Sequence, residues 1–202
     1  MKDRKAVTRV SSLNFCPEKH TYTLGDREIP SVTQILKALG LIDDRHFTEE
    51  ARLRGQAVHS AIHYWVEDDL DESTLDPKIV PYVDAFREWA SLVGLEVFQA
   101  EMRVHHLGLG YAGTLDLFGK VQGERSIIEV KTGSMPPWGY LQVAAYALCF
   151  DGVLPQRFVL QLKGNGRHKL TPCPRPADLH EWMSCMSVYG LLGKFGRLNG
   201  GE

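Results

Sequence analysis

Three short stretches decide the fold of this chain: G-T-L-D at residues 113–116, I-I-E-V-K-T-G at residues 127–133 and Q-V-A-A-Y at residues 142–146. The first two have the composition of β-strands, and the third lies in a helical segment. Because side chains alternate along a strand, Glu129 and Lys131 share one face with Ile127. Ile128 and Val130 lie on the opposite face. The apolar residues predict a buried strand, so an acid and a lysine side by side in it indicate a functional site.

The residue types in these stretches suit metal-assisted phosphodiester hydrolysis. Asp116 and Glu129 are acids that can hold a divalent cation. Lys131 can stabilise the attacking water or the charge that develops at phosphorus. Two simpler interpretations exist: a surface ion pair between Glu129 and Lys131, which contributes little to stability, and a turn role for Asp116 at the end of its strand. The apolar neighbours and the order of the two acids favour the catalytic interpretation.

The motifs resemble the catalytic core of the PD-(D/E)XK nuclease superfamily, with Asp116, Glu129 and Lys131 at the core positions. Gln142 and Tyr146 resemble the Q-x-x-x-Y motif of its RecB-like exonuclease branch, of the phage and mitochondrial genome maintenance exonuclease type. The resemblance implies a restriction-endonuclease-like fold and nuclease activity.

The resemblance extends upstream of the core. R-G-Q-A-V-H at residues 54–59 is similar to the R-G-x-x-x-H motif of the same branch, whose histidine is a metal ligand. His20, Tyr22 and the stretch P-S-V-T-Q-I-L at residues 30–36 are also similar to exonucleases of this branch. Leu115 stands where the superfamily often has proline, and the branch commonly has a hydrophobic residue there. Four motifs thus occur in the order that the branch shows.

The resemblance implies a metal centre with Mg²⁺ or Mn²⁺, as one or two ions. The implied ligands are His59, Asp116, Glu129 and the backbone carbonyl of Val130. Such ions prefer oxygen ligands, and an imidazole suits Mn²⁺ better than Mg²⁺. Glu101 is expected to support a ligand or a second ion, although it could be a solvated strand residue. His63 competes with His59 on the same helix, but only His59 matches the motif.

The resemblance also implies substrate contacts. Gln142 and Tyr146 lie four residues apart on one helix face, and as the family motif they would orient the lysine and contact phosphates. Without that role they would form an ordinary amphipathic flank. Arg54 and Thr33 are expected to touch phosphate from the rim of the site.

The function implied is a metal-dependent DNA exonuclease, a phosphodiester hydrolase acting on single-stranded DNA or DNA ends in recombination or repair, in a phage or prophage. DNA is the expected partner, with no membrane. One alternative is a structure-specific or restriction-type endonuclease of the same superfamily, against which the upstream histidine motif argues. Another is a catalytically silent nucleic-acid-binding module, against which the intact Asp116, Glu129 and Lys131 argue.

The composition of 202 residues, 44% hydrophobic and 24% charged, is ordinary for a soluble globular domain. The net charge of −2 counts mildly against nucleic-acid binding, but bound cations add positive charge. No apolar run reaches the roughly 18 residues of a membrane span, and no apolar segment follows the charged residues 1–5, so a cytoplasmic location is expected. Four cysteines form no C-x-x-C motif, which favours free, mostly buried thiols over an iron–sulfur cluster.

The pattern of elements predicts an α/β fold, a mixed central sheet flanked by helices, with the N-terminal helices over one rim. One nuclease domain is expected over 1–202: an N-terminal hairpin and helix (1–47), a helical rim (48–95), the nuclease core (96–172) and a C-terminal helix (173–202). Helices are predicted at 31–39, 48–67, 77–93, 138–150 and 176–195, and strands at 21–24, 27–29, 98–104, 111–121, 126–132, 157–163 and 168–171.

Overall fold

The computed structural model describes residues 13–43, 45 and 48–198, so the charged N-terminal residues and the terminal Gly200-Gly201 lie outside the described part. In chain order the elements are β1 (Leu13–Cys16), β2 (Thr21–Leu24), β3 (Arg27–Ile29), α1 (Val32–Ala38), α2 (Glu49–Val66), a short 3-10 helix (Glu72–Thr74), α3 (Val80–Val93), β4 (Glu96–His106), β5 (Tyr111–Val121), β6 (Glu124–Lys131), α4 (Gly139–Ala147), β7 (Gln156–Leu162), β8 (His168–Pro172) and α5 (Pro176–Lys194).

The central sheet has five strands in the order β4-β5-β6-β7-β8. β6 and β7 run parallel and are joined through α4, whereas the other neighbouring pairs of this sheet are antiparallel. A parallel pair needs a long crossover connection, and a helix is its usual form. The predicted mixed α/β sheet flanked by helices is confirmed.

Helices cover both faces of this sheet. α2 and α3 pack on the face that carries Ile128 and Val130, called here the α3 face. α4, α5 and α1 pack on the opposite face, called the α4 face, which carries Ile127 and Val159. The alternation predicted for β6 is therefore confirmed, and the helices predicted over one rim extend across the α3 face. Each large apolar side chain buried in this way contributes about 1.5–3 kcal/mol to folding.

A second, smaller sheet docks the N-terminal segment onto β5. β1, β2 and β3 are antiparallel in that order. Tyr22 and Ile29 pack with Ala112 of β5, whose N–H donates to the Pro30 carbonyl at 3.0 Å. The sequence predicts the β2–β3 hairpin but misses β1, whose L-N-F-C contains none of the β-branched residues that favour strands.

The start of α1 follows the predicted capping box. The Gln34 N–H donates to Ser31 Oγ at 3.1 Å, and the Ser31 N–H donates to Gln34 Oε1 at 2.8 Å. The start of α3 differs from the prediction: the helix begins at Val80 and not near residue 77, because Asp76 Oδ1 accepts the Lys78 N–H at 2.8 Å and holds these residues in a turn.

In the described ranges, no helix combines the length and apolar character needed to cross a membrane. Cys149, Cys173 and Cys185 pack at the core of the α4 face, where Cys173 is buried and the other two are half-buried. Cys16 lies on β1, and its thiol donates to Glu18 at 3.1 Å.

Candidate active site

The site lies where β5 and β6 separate. Their backbone pairing continues from Val121 opposite Glu124 as far as Leu117 opposite Ile128. At the next residue of β5 a side chain replaces the ladder, because Asp116 Oδ2 accepts the backbone N–H of Val130 at 2.6 Å. The Asp116 carboxylate is thereby fixed in the gap between the strands.

β4 supplies a second carboxylate beside Asp116. Glu101 lies between Ala100, which pairs with Leu117, and Met102, which pairs with Leu115. Ala100 packs on the α3 face and Met102 on the α4 face, so the alternation of β4 shifts at Glu101. Glu101 has φ +47°, a left-handed conformation that is costly for a non-glycine residue and that clusters at functional sites.

His59 on α2 completes a group of three ligand atoms. The helix packs on the α3 face through neighbours such as Val58 and Ile62. His59 Nδ1 lies 3.2 Å from Asp116 Oδ1 and 3.8 Å from Glu101 Oε1. One ligand atom from each residue falls within 4.8 Å of the others, so together they could hold a divalent cation. A small pocket opens here, lined by His59, Ile62, His63, Ala100, Glu101, Asp116 and Val130.

Charge in this group also suits a cation. Burial lowers the pKa of His59, but the charge of Asp116 and the hydrogen bonds with Asp116 and Glu101 outweigh burial and raise that pKa to about 10. Burial likewise raises the pKa of Asp116, whereas the charge of His59 and its hydrogen bond hold it below the ordinary value. Without an ion, a protonated imidazole therefore balances the carboxylates, and a divalent cation can take over that role.

A second set of side chains leads from β6 into α4 on the α4 face. The Lys131 ammonium donates to Glu129 Oε1 at 2.8 Å and to Gln142 Oε1 at 3.1 Å. The Gln142 amide in turn donates to the Tyr146 hydroxyl at 3.1 Å. Gln142 and Tyr146 are both buried, and these hydrogen bonds connect them to the lysine ammonium. Their contact with substrate stays a prediction.

The opposite charges around Lys131 keep it protonated. Burial alone lowers the pKa of Lys131, but the charges of Glu129 and Asp116 raise it above the ordinary value. Burial and the charge of Asp116 raise the pKa of Glu129 to about 7, against the opposing effect of Lys131. Glu129 Oε2 is buried without a hydrogen-bond partner among the described residues, so this atom is free to ligate a cation.

Gly113, the first residue of the G-T-L-D stretch, leaves room for the ring of Tyr146. A Cβ atom at this position would lie 2.5 Å from Tyr146 Cε1, well inside contact distance. The absence of a side chain therefore lets the tyrosine ring pack on β5. The next residue, Thr114, has its Oγ1 at 2.7 Å from the Tyr22 hydroxyl of the small sheet.

The predicted site residues separate into two groups. His59, Glu101 and Asp116 converge, and Glu129, Lys131, Gln142 and Tyr146 form the connected hydrogen bonds beside them. Val130 lines the pocket, and its role as a carbonyl ligand stays a prediction. His63 lines the same pocket.

The predicted rim residues Arg54 and Thr33 make other contacts. The Arg54 guanidinium lies 5.9 Å from the ring centroid of Tyr82 on α3, and its Nε is buried without a partner in the described part. Thr33 Oγ1 lies 3.1 Å from Ser31 Oγ in the first turn of α1. Their phosphate contacts stay predictions.

Two further residues lie near the site, and of these only Gln161 escapes the sequence prediction. Trp138 precedes α4, and its ring centroid lies 5.3 Å from the Lys131 ammonium, which favours the protonated lysine. Gln161 on β7 is buried, and its amide donates to the Gly133 carbonyl at 3.0 Å. A glutamine within the otherwise apolar F-V-L-Q-L of β7 was the available signal.

No family model and no curated protein matches the chain. Among solved structures, a candidate exonuclease from Eubacterium rectale superposes with a TM-score of 0.50 at 14% identity, over 81% of this chain and 73% of that chain. The alkaline exonuclease LHK-Exo from Laribacter hongkongensis gives a TM-score of 0.45 at 12% identity, over 81% and 88% of the two chains. Its complex with dAMP gives 0.45 at 14% identity, over 84% and 94%. The first likeness supports the fold, a mixed sheet flanked by helices.

Proposed function

We propose that the chain is a metal-dependent nuclease that hydrolyses phosphodiester bonds of DNA. The observation that carries this proposal is the convergence of His59, Glu101 and Asp116 beside the buried pair of Glu129 and Lys131. An imidazole and acidic oxygens suit Mg²⁺ or Mn²⁺, and a buried lysine ammonium next to them suits a phosphate anion.

The donor set fits one or two such ions. His59, Glu101 and Asp116 would hold a cation, with the free Oε2 of Glu129 and the carbonyl of Val130 as further oxygen ligands. A bound divalent ion would lower the pKa of a water and polarise the phosphoryl group. The contribution of the protein is to fix the ligands, as the Val130 N–H does for Asp116.

Lys131 is assigned to charge stabilisation. Its raised pKa means that it carries a proton near neutral pH and cannot act as a base there. The hydrogen bonds that the ammonium donates to Glu129 and Gln142 hold it in place, so no reorganisation is needed when negative charge builds up on the phosphate. Glu129, with its pKa near 7, is the group in this pair that can exchange a proton.

The proposed mode of action is that of an exonuclease on single-stranded DNA or DNA ends, in recombination or repair. The order of the four motifs supports it, and the name of the Eubacterium rectale protein of similar fold is in line with it.

The test is digestion of end-labelled single- and double-stranded oligonucleotides, with a closed single-stranded circle as control. We expect linear DNA to be degraded with Mg²⁺ or Mn²⁺, the circle to be spared, and EDTA to stop the reaction. Efficient cutting of the circle would instead establish the endonuclease. Undiminished cleavage in EDTA would exclude the metal-dependent mechanism, and binding of DNA without any cleavage would indicate the silent binding module.

A further inference from the structure

Lys131 belongs to a row of polar residues that crosses three strands. It pairs in register with Gln161 of β7, and Gln161 pairs with Lys169 of β8. Directly paired residues lie on the same face of a sheet, here the α4 face, since Val159 two residues before Gln161 packs there. Neighbouring strands lie about 4.8 Å apart, so the backbones of Lys131 and Lys169 are about 10 Å apart.

Two further cations extend this row at the β7–β8 turn. The Lys163 N–H donates to the Arg167 carbonyl at 2.9 Å, so these residues face each other across the turn. Alternation along β7 and β8 places both on the α4 face, like Lys169. His168 between them lies on the other face, where its Nδ1 is 3.7 Å from Glu88 of α3. We call Lys163, Arg167 and Lys169 the basic row.

The basic row is exposed and available to an anion. All three side chains are exposed. Within the described residues none of them forms an ion pair with a carboxylate, whereas Arg52, Arg87 and Lys120 do. In a chain with a net charge of −2, three unpaired cations on the face of the catalytic lysine are a local positive patch.

The turn that carries the basic row is held at two points. A Cβ atom on Gly164 would lie 2.9 Å from the Tyr82 hydroxyl, so the turn lies directly against α3. The Gln161 amide donates to the Gly133 carbonyl, which ties β7 to the loop that follows Lys131. The basic row therefore keeps a fixed position relative to the catalytic lysine.

We propose that Lys163, Arg167 and Lys169 bind phosphates of the DNA strand next to the bond that is cut at Lys131. This inference rests on the proposed function. At about 3.4 Å of axial rise per nucleotide in one strand, the 10 Å between Lys131 and Lys169 corresponds to about three nucleotides. Lysine and arginine contacts to phosphate are independent of sequence, so the basic row positions the strand without selecting bases.

The test is the salt dependence of binding, measured by fluorescence anisotropy on a labelled oligothymidylate of about twenty nucleotides in EDTA, so that no cleavage occurs. The variant is Arg167→Ala with Lys169→Ala. The matched control is Lys120→Ala with Arg125→Ala, which likewise removes one lysine and one arginine. These two residues pair across β5 and β6 at the opposite end of the sheet. Melting curves establish that both variants are folded.

We expect the Arg167/Lys169 variant to bind at least about tenfold more weakly at low salt. The slope of log K against log salt should fall by about 1.4, for two lost phosphate contacts on a single strand. The control should match the wild type. The variant Arg167→Lys with Lys169→Arg exchanges the two residue types and keeps both positive charges, so it should bind like the wild type. Equal affinities and slopes for the two alanine variants would overturn the inference.

A second measurement separates this inference from the proposed function. With Mn²⁺, the Arg167/Lys169 variant should cleave the long oligonucleotide more slowly and a dinucleotide at the wild-type rate. If the wild type cleaves no DNA, the proposed function fails, and the anisotropy result still decides whether the basic row binds a single strand. If both substrates are slowed equally, the basic row acts on the site itself and not on the flanking phosphates, which contradicts the inference.

Discussion

The two ends of the β5–β6 pair use the same kind of ion pair in opposite surroundings. Near the turn at Gln122-Gly123 the backbone ladder is complete, and Lys120 donates to Glu96 at 3.1 Å on the surface. At the open end the ladder has stopped, and Lys131 donates to Glu129 at 2.8 Å, with the glutamate side chain only 4% exposed. Backbone hydrogen bonds join β5 and β6 at the turn, whereas at the open end the Asp116 side chain accepts the Val130 N–H in place of a backbone carbonyl.

This difference separates an exposed ion pair from a buried one, for which we propose a function. An exposed pair such as Lys120 with Glu96 contributes about 0–1 kcal/mol. Removal of one partner of a buried pair costs about 3–5 kcal/mol, because the remaining charge has no compensation. A fold would not gain by burying Glu129, Asp116 and Lys131 together. Their burial is understandable if a cation and a phosphate complete the arrangement.

The largest expected effect comes from substitution of the buried lysine. Lys131→Ala should reduce cleavage by about 100- to 1000-fold, the range for loss of one charge-stabilising donor, while metal binding persists because the ligands remain. The comparison is with Lys120→Ala, which should leave cleavage unchanged and stability within about 1 kcal/mol. Steady-state kinetics of both variants measure the loss of cleavage, and calorimetric titration measures whether metal binding is retained. Wild-type turnover in Lys131→Ala would contradict the proposed role of Lys131 in charge stabilisation.

The next effect concerns His59, the proposed imidazole ligand at the open end. His59→Ala should weaken Mn²⁺ binding by about 10- to 100-fold or more, and excess Mn²⁺ should partly restore cleavage. His180→Ala, an exposed histidine on α5, is the control and should be neutral. His63 lines the same pocket, so it is unsuitable as a control. Titration of Mn²⁺ by electron paramagnetic resonance measures the affinities, and unchanged affinity in His59→Ala would show that the imidazole is not a ligand.

A third prediction tests the contact that supports the lysine. Gly113→Ala places a Cβ atom 2.5 Å from the Tyr146 ring, so the ring must shift and with it the hydrogen bond from Gln142. We expect a loss of about 1–3 kcal/mol in unfolding free energy and slower cleavage. Gly133→Ala, where no atom lies within 4 Å of an added Cβ, should be tolerated. Chemical denaturation compares the two, and equal stabilities would mean that the ring adapts without cost.

The last prediction concerns the pH dependence of metal binding. The pKa of His59 is about 10 without a cation, so near pH 7 the imidazole carries a proton that the metal must displace. Affinity should therefore rise with pH, by at most about tenfold per unit between pH 6 and 8, as one proton is released. The dependence should be shallower in His59→Ala. Calorimetry in buffers of different ionisation enthalpy counts the protons, and a count of zero would contradict a protonated His59.

Much of this architecture can be predicted from local sequence signals. The capping box of Ser31 and Gln34 and the alternation of Ile127, Ile128 and Val130 each depend on neighbours in the chain, and the structure has them as predicted. The order of strands and helices follows from the same signals. The start of α3 depends on one side-chain turn at Asp76, and β1 depends on its pairing with β2, so neither could be predicted in this way.

The geometry of the site depends on contacts that no local pattern contains. His59 and Asp116 are far apart in the chain, and only the packing of α2 on the α3 face brings them to 3.2 Å. The role of Glu101 depends on a left-handed residue within a strand, for which the sequence shows no glycine or other signal. The resemblance to a nuclease family supplies the residue identities, and the fold supplies the distances.

Anomalous diffraction from crystals grown with Mn²⁺ tests most directly whether the gap between β5 and β6 is a metal centre. We expect an anomalous peak in the pocket, with the imidazole of His59 and a carboxylate oxygen of both Glu101 and Asp116 at about 2.0–2.4 Å, the range for such ligands. A second peak at Glu129 Oε2 would add a second ion. A fully occupied peak elsewhere, or an empty gap at millimolar Mn²⁺, would contradict the metal centre and the nuclease mechanism built on it.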